Sequence, residues 1–213
     1  MFKKIILMSL LMTITSIASA DAGENPVFSI SPVPNHLTED MTRKNIWNEK
    51  CPVAISRLKL LNLSYYDFEG NHHSDGKMIV IDTIAEKVLE VFKELHKRKF
   101  PIAKIKLMND YNGDDELSMA DNNTSAFICR EVTGGGRISL HSYGVAIDVN
   151  PIQNPYISID NLQVKISPKE GANYINRTNI RPGMVEPVVD VFTSNGFIIW
   201  GGSWNDPVDW MHF

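Results

Sequence analysis

Apolar residues recur along this chain with two different periods, and the change from one to the other marks out its elements. From Leu61 to Phe68 apolar and polar positions alternate, which predicts a half-buried strand. Glu69 to Lys77 is polar and contains glycine, and Met78 to Ile81 is β-prone, so the three pieces predict a hairpin with a long tip. The period then lengthens. Ile84, Val88, Val91, Phe92 and Leu95 make one apolar stripe at helical spacing, with Asp82 or Thr83 as cap. Lys97, Arg98 and Lys99 suit the negative end of that helix, and Pro101 stops it.

Beyond Pro101 the pattern weakens. A strand is expected through Ile102, Ile105 and Leu107, a polar surface loop over 109–124, and another strand over Phe127 to Val132. Val145 to Val149 is rich in β-branched residues and ends at Asn150-Pro151, a turn signal. Residues 157–159 and 164–166 predict a small hairpin. Met184, Val188, Val191 and Phe192 predict a second helix, ending near Asn195-Gly196, before a last strand over Phe197 to Trp200. Strands and helices are mixed rather than alternating, which predicts an α+β single domain with a central antiparallel sheet and flanking helices. Residues 21–50, with Pro26, Pro32 and Pro34, read as an extended arm that wraps the domain or stays loose. The expected organisation is 1–20 as signal, 21–59 as N-terminal arm and 60–213 as the folded domain.

Residues 1–20 carry Lys3 and Lys4, then a mostly apolar run, then Ala18-Ser19-Ala20, the pattern of an export signal. The run is shorter than the roughly 20 apolar residues that span a bilayer, so no stable membrane insertion is expected once it is removed. Cleavage there predicts a periplasmic or secreted protein and moves the net charge from −4 to −6. That acidic balance argues against nucleic acid as a partner. Cys51 and Cys129 are the two cysteines; an exported chain can join them or bury them as separate thiols. Two cysteines exclude an all-thiolate zinc cage.

Chemistry concentrates in two segments, Ser139-Leu-His141-Ser-Tyr-Gly144-Val-Ala-Ile-Asp148 and Asp209-Trp-Met-His212-Phe213. Catalytic zinc takes three protein ligands and leaves a position for water. His141, Asp148 and His212 have the right donor types, and Asp209 is a spare carboxylate for general base work. Gly144, the β-branched neighbours and Asn150-Pro151 oppose a helix here, so His141 is expected in a loop, with a bend at Gly144 and Asp148 on the following strand. Spacing by itself leaves another reading open: each histidine as a hydrogen-bonded core or surface residue, each acid as a turn or solvated group.

A resemblance adds to this. Ser118-Met-Ala-Asp-Asn-Asn-Thr-Ser-Ala-Phe-Ile-Cys-Arg130, Ser139-x-His141-x-x-Gly144-x-Ala146-x-Asp148, Gly196-Phe197, Trp200-Gly-Gly202 and Asp209-x-Met-His212-Phe213 together resemble the zinc D-alanyl-D-alanine carboxypeptidase family. That group of bacterial cell-wall peptidases also holds D-Ala-D-Ala dipeptidases and L-alanyl-D-glutamate endopeptidases. The likeness runs from about Leu60 onward. It implies a hedgehog/DD-peptidase-like fold with the zinc site at a sheet edge and His141, Asp148 and His212 on Zn2+. It also implies Asp209 as catalytic acid/base, and Arg130 as catalytic or substrate-binding through an oxyanion or a substrate carboxylate. Ser139 is expected to bind substrate or support His141. The implied substrate is a peptidoglycan stem peptide, cut by a monomer. The leading reading is carboxypeptidase action; the alternatives are an endopeptidase or a zinc-fold binding module without turnover. Two departures stand out: relatives often carry Glu where this chain has Asp209, and Gly-Gly-Asp-Trp where it has Gly201-Gly-Ser203-Trp204.

Overall fold

The computed structural model describes residues 25–133 and 135–213, so the expected export signal lies outside the described residues. Three small sheets and four helices make up the framework. β1 (Phe28–Pro32), β2 (Leu58–Tyr66) and β3 (His72–Ile81) form an antiparallel sheet in the order β1-β2-β3. Leu61, Leu63, Tyr65, Met78 and Val80 face one core, and Leu58, Leu60, Ile79 and Ile81 face another. The alternation of period two therefore buries both faces of the β2–β3 pair.

α2 (Ala85–Lys97) covers the first face, burying Val88, Val91, Phe92 and Leu95 of the predicted stripe together with Ala85 and Leu89, while Ile84 falls just before the helix and is only partly buried. Its start has no side-chain cap: Asp82 instead binds Arg57 through both carboxylate oxygens, at 2.6 Å each. The second face is covered by Met41 of α1 (Asn35–Arg43), by Ile46 and Val53, and by Leu107, Met108, Phe127 and Ile128. The stretch expected to be an extended arm thus supplies an edge strand and a helix. The tip of the hairpin is also shorter than expected, because β3 begins at His72. Polar His72 and Ser74, partly exposed, and Lys77, exposed, carry strand backbone where hydrophobic alternation leaves no trace.

The rest of the chain is less regular. The strand expected near 101–108 shrinks to β4 (Lys104–Ile105), which pairs in parallel with β5 (Asn123–Thr124). The expected surface loop contains α3 (Asp115–Ala120), capped by Asp114, whose carboxylate accepts from Leu117 N–H at 3.0 Å. β6 (Tyr156–Asp160) and β7 (Gln163–Ser167) form the predicted hairpin, and β8 (Val208–Asp209) adds to β6, giving the order β7-β6-β8. α4 (Val189–Ser194) ends beside Asn195-Gly196 as predicted. The architecture is mixed helix and sheet with antiparallel sheets, but the single central sheet is replaced by three small ones, one of them a parallel pair. Phe127 to Val132 and Phe197 to Trp200 are not ladder strands. Among the described residues no helix is long and apolar enough to cross a membrane.

Candidate metal centre

His141 is delivered by a short 3-10 turn, Leu140–Tyr143, whose first N–H groups need partners outside the turn. Buried Ser139 supplies one: its hydroxyl accepts from His141 N–H at 3.3 Å. The turn closes at Gly144 with φ +68°, and a Cβ there would lie 2.8 Å from the backbone nitrogen of Ile81. Only glycine meets both demands, left-handed backbone and close approach to β3. The sequence expectations of a bend at Gly144 and of His141 in a loop describe what is seen. Ser142 stitches the turn to the segment before it, donating its hydroxyl to Arg130 O at 2.8 Å and accepting from Arg130 N–H at 2.9 Å.

Asp148 follows on extended backbone, bridged on one side to Ser125 and on the other to His212. These are single bridges, not the strand expected over Val145 to Val149. The segment carrying His212 is held by its neighbour: Phe213 is buried, stacks on Phe192 at 3.8 Å, and exchanges two 3.0 Å backbone hydrogen bonds with Ile147. Core packing of an adjacent phenylalanine thereby sets where His212 stands.

The three side chains meet. His141 Nε2 lies 3.1 Å from an Asp148 oxygen, His212 Nδ1 lies 3.1 Å from the other, and the two nitrogens are 3.2 Å apart. All three residues are buried, and among the described residues this is the one cluster of His, Cys, Asp or Glu able to hold a metal ion. A tetrahedral centre with bonds of about 2.0–2.1 Å needs ligand atoms about 3.3 Å apart. The donor set fits that spacing. His141 Nδ1–H donates to Ala126 O at 2.6 Å, which leaves Nε2 unprotonated and aimed at the cluster in the neutral ring. Burial alone would lower the His141 pKa, but the Asp148 carboxylate outweighs it and the pKa is raised. Asp148, though buried, is held well below the usual carboxylate range by the two imidazoles.

Asp209 sits on β8, opposite Tyr156. Gly201 lies so close that a Cβ there would meet the Asp209 backbone oxygen at 2.4 Å, and Gly201 N–H donates to His212 O at 2.9 Å. The Asp209 side chain is crowded: Oδ1 is shielded from solvent and has no hydrogen-bond partner among the described residues. Burial, then the charge of Asp148, pushes its pKa up to about 7. Such a group exchanges a proton readily near neutral pH.

Arg130 reaches the same neighbourhood from the segment before the turn. Cys129 is disulfide-bonded to Cys51, which resolves the choice left open by the sequence and anchors the residue next to Arg130. Arg130 pairs with Asp115 at 2.8 Å, and both charges act on His141 and Asp209. Asp115 was missed by sequence reasoning. It lies in an acidic run, 114–116, that reads as solvated loop, and no spacing ties it to the later motifs. Trp204 packs 5.5 Å from His212, whereas Trp200 donates to Trp210 O at 2.9 Å and lies over Phe213 at 6.2 Å, so it belongs to the core. Ser203, in place of the usual acid, closes its own turn by donating to Trp200 O at 2.7 Å.

The site is therefore a buried His/Asp/His cluster of metal-ligand geometry with a spare carboxyl group beside it. Residues 133–213 match the family described as D-alanyl-D-alanine carboxypeptidase. The match supports the family to which the motifs pointed, over the segment that carries Ser139, His141, Asp148, Asp209 and His212, and with it a peptidase. Arg130 and Asp115 precede the matched segment. No curated protein and no solved structure matches the chain.

Proposed function

We propose that this protein is a zinc-dependent peptidase acting on peptidoglycan stem peptides, of the D-alanyl-D-alanine carboxypeptidase type, with a hedgehog/DD-peptidase-like fold. The observation that carries the reading is the convergence of three buried ligand atoms beside an unpartnered carboxylate oxygen. His141 Nε2, His212 Nδ1 and the Asp148 carboxylate would hold the ion. Bound zinc supplies Lewis acidity, polarising a carbonyl and lowering the pKa of water toward about 7. Asp209 takes the proton of the attacking water and passes it to the leaving amine. Its shorter side chain, against glutamate, asks for a close approach, and Gly201 permits β8 to sit tightly there. Arg130 steadies the negative oxygen of the tetrahedral intermediate with a charged donor. Ser139 acts by holding the turn of His141.

In this reading the activity lies outside the inner membrane, where an export signal over 1–20 would send the chain and where the polymer is, and the protein acts as a monomer. Two variants test the assignment on purified muropeptides, with zinc measured in parallel. Asp209→Ala should lose at least about 10²–10⁴ in rate, the usual worth of a positioned acid/base, yet keep its zinc. His141→Ala should lose both zinc and hydrolysis. Full activity in Asp209→Ala would overturn its role, and zinc-loaded wild type that cleaves no stem peptide would overturn the function.

A further inference from the structure

Arg130 is a long side chain on an unusually well-fixed backbone. Ser142 takes both its N–H and its carbonyl, and the preceding residue is tied to Cys51. Those restraints end at the backbone. The stem beyond it has enough rotatable bonds to swing the guanidinium out to water. What directs the guanidinium is Asp115. Its carboxylate takes the Nη2 group at 2.8 Å, while Nη1 donates to Glu131 O at 3.0 Å. Each Nη group keeps a second N–H, and Nε, shielded from solvent, has no partner among the described residues.

Asp115 is itself held in place. It is the first residue of α3, next to the cap Asp114, and the helix is tied down where buried Asn123 donates to Ser118 Oγ at 3.0 Å and to Lys106 O at 3.1 Å. The Asp115 and Arg130 side chains are 20% and 26% exposed, yet burial is the largest influence on Asp115 and raises its pKa. A carboxylate crowded by protein but still open at one edge sits in a recess. Ser142, next to His141, bonds the Arg130 backbone, and both partners act electrostatically on His141 and Asp209, so the recess borders the metal cluster.

We propose that Asp115 is a positioning residue: it fixes the Arg130 guanidinium at the border of the metal site, so that an Nη N–H not taken by Asp115 or Glu131 O meets the substrate oxygen. The proposal rests on the reading of Arg130 given above. A rigid pair of this kind spares the reaction the cost of ordering a flexible cation, and a small misplacement can cost about 10²-fold in rate.

The test is a double-mutant cycle in the full chain with zinc bound, using Asp115→Ala, Asp115→Asn, Arg130→Ala and the double alanine variant. The readouts are zinc content, kcat and KM on a stem pentapeptide, and the NMR signal of Arg130 Nε–H. Asp115→Ala should keep zinc and lower kcat about 10- to 100-fold. Asp115→Asn, which retains an acceptor, should lose less. The double variant should be no slower than Arg130→Ala, and the Nε–H signal should be ordered in wild type and motionally averaged in Asp115→Ala. Losses that multiply in the double variant, or an Nε–H signal indifferent to Asp115, would overturn the proposal. Wild type and Asp209→Ala run alongside: if wild type fails to hydrolyse, the functional reading falls, and the Nε–H signal still judges whether Asp115 directs Arg130.

Discussion

The sheet β1-β2-β3 with α2 and the segments that carry the metal cluster are built on opposite plans. In the sheet, strands of nine and ten residues pair over most of their length, and the contacts between elements are apolar on both faces. Around the cluster, pairing is by single bridges and by strands of two residues. Asn123, Thr124, Ser142, Asn150 and Asn154 are there with no exposed surface at all. Asn154 donates to Val149 O, Asn150 O and Gly183 O, and accepts from Val185 N–H and Arg177. Asn150 donates to Pro101 O and Gly183 O and accepts from Ala103 N–H. Apolar burial is non-directional and makes a framework; hydrogen bonds are directional and can aim three side chains at one point.

The largest effect should come from the apolar half. Phe92 has no exposed surface and lies between α2 and the sheet. Phe92→Ala should cost about 3–5 kcal/mol, from lost transfer energy and the cavity left behind. Urea unfolding measures it, and a loss under about 1 kcal/mol would mean that this core does not carry the fold. Zinc bound to the surviving folded protein should be unchanged, because Phe92 touches none of the ligands' hydrogen bonds.

The same contrast decides what was legible in the sequence. α2, the β6–β7 hairpin and the end of α4 were all readable, because period and turn residues are local signals. That His141, Asp148 and His212 meet was readable too, but through motif and not through period. Illegible were the elements whose reason lies elsewhere in the fold: the late start of β1 and α1 within a proline-bearing stretch, α3 inside a polar run, and Asp115. α3 has little apolar stripe to read; its place is set by the Asp114 cap and by Asn123, which comes later in the chain. The cysteine pairing was equally undecidable, since its two ends are 78 residues apart.

A smaller loss is expected on removing one of the directional groups. Asn154→Ala would leave three buried carbonyls and the Val185 N–H short of a partner. Several of these groups are shared with other donors, so the cost should be about 1–3 kcal/mol, as for buried polar groups left unpaired. Because Val149 directly follows Asp148, zinc affinity should fall along with stability, in contrast to Phe92→Ala. Calorimetric zinc titration of the two variants makes the distinction. Equal affinity in both would break the idea that the polar network around Asn154 aims Asp148 more closely than the α2 side of the apolar core does.

The smallest effect should come where sequence pattern misled. Phe197 to Trp200 reads as a strand, yet it joins no ladder, and Ile198 is 80% and Ile199 57% exposed. The backbone here serves a different end. It delivers Gly201 against Asp209 and lets Gly201 N–H reach His212 O, so the chain follows the site's geometry and two isoleucines are left facing water. Ile198→Ser therefore removes almost no buried surface. Its effect on unfolding should stay within about 0.5 kcal/mol, the usual range for surface substitutions. In a strand packed as β2 is packed, the same exchange would lose a buried side chain worth about 1.5–3 kcal/mol and bury a hydroxyl besides. A measured cost of that size for Ile198→Ser would show that this run packs as a buried strand after all, and that the path of Gly201 toward Asp209 is drawn wrongly.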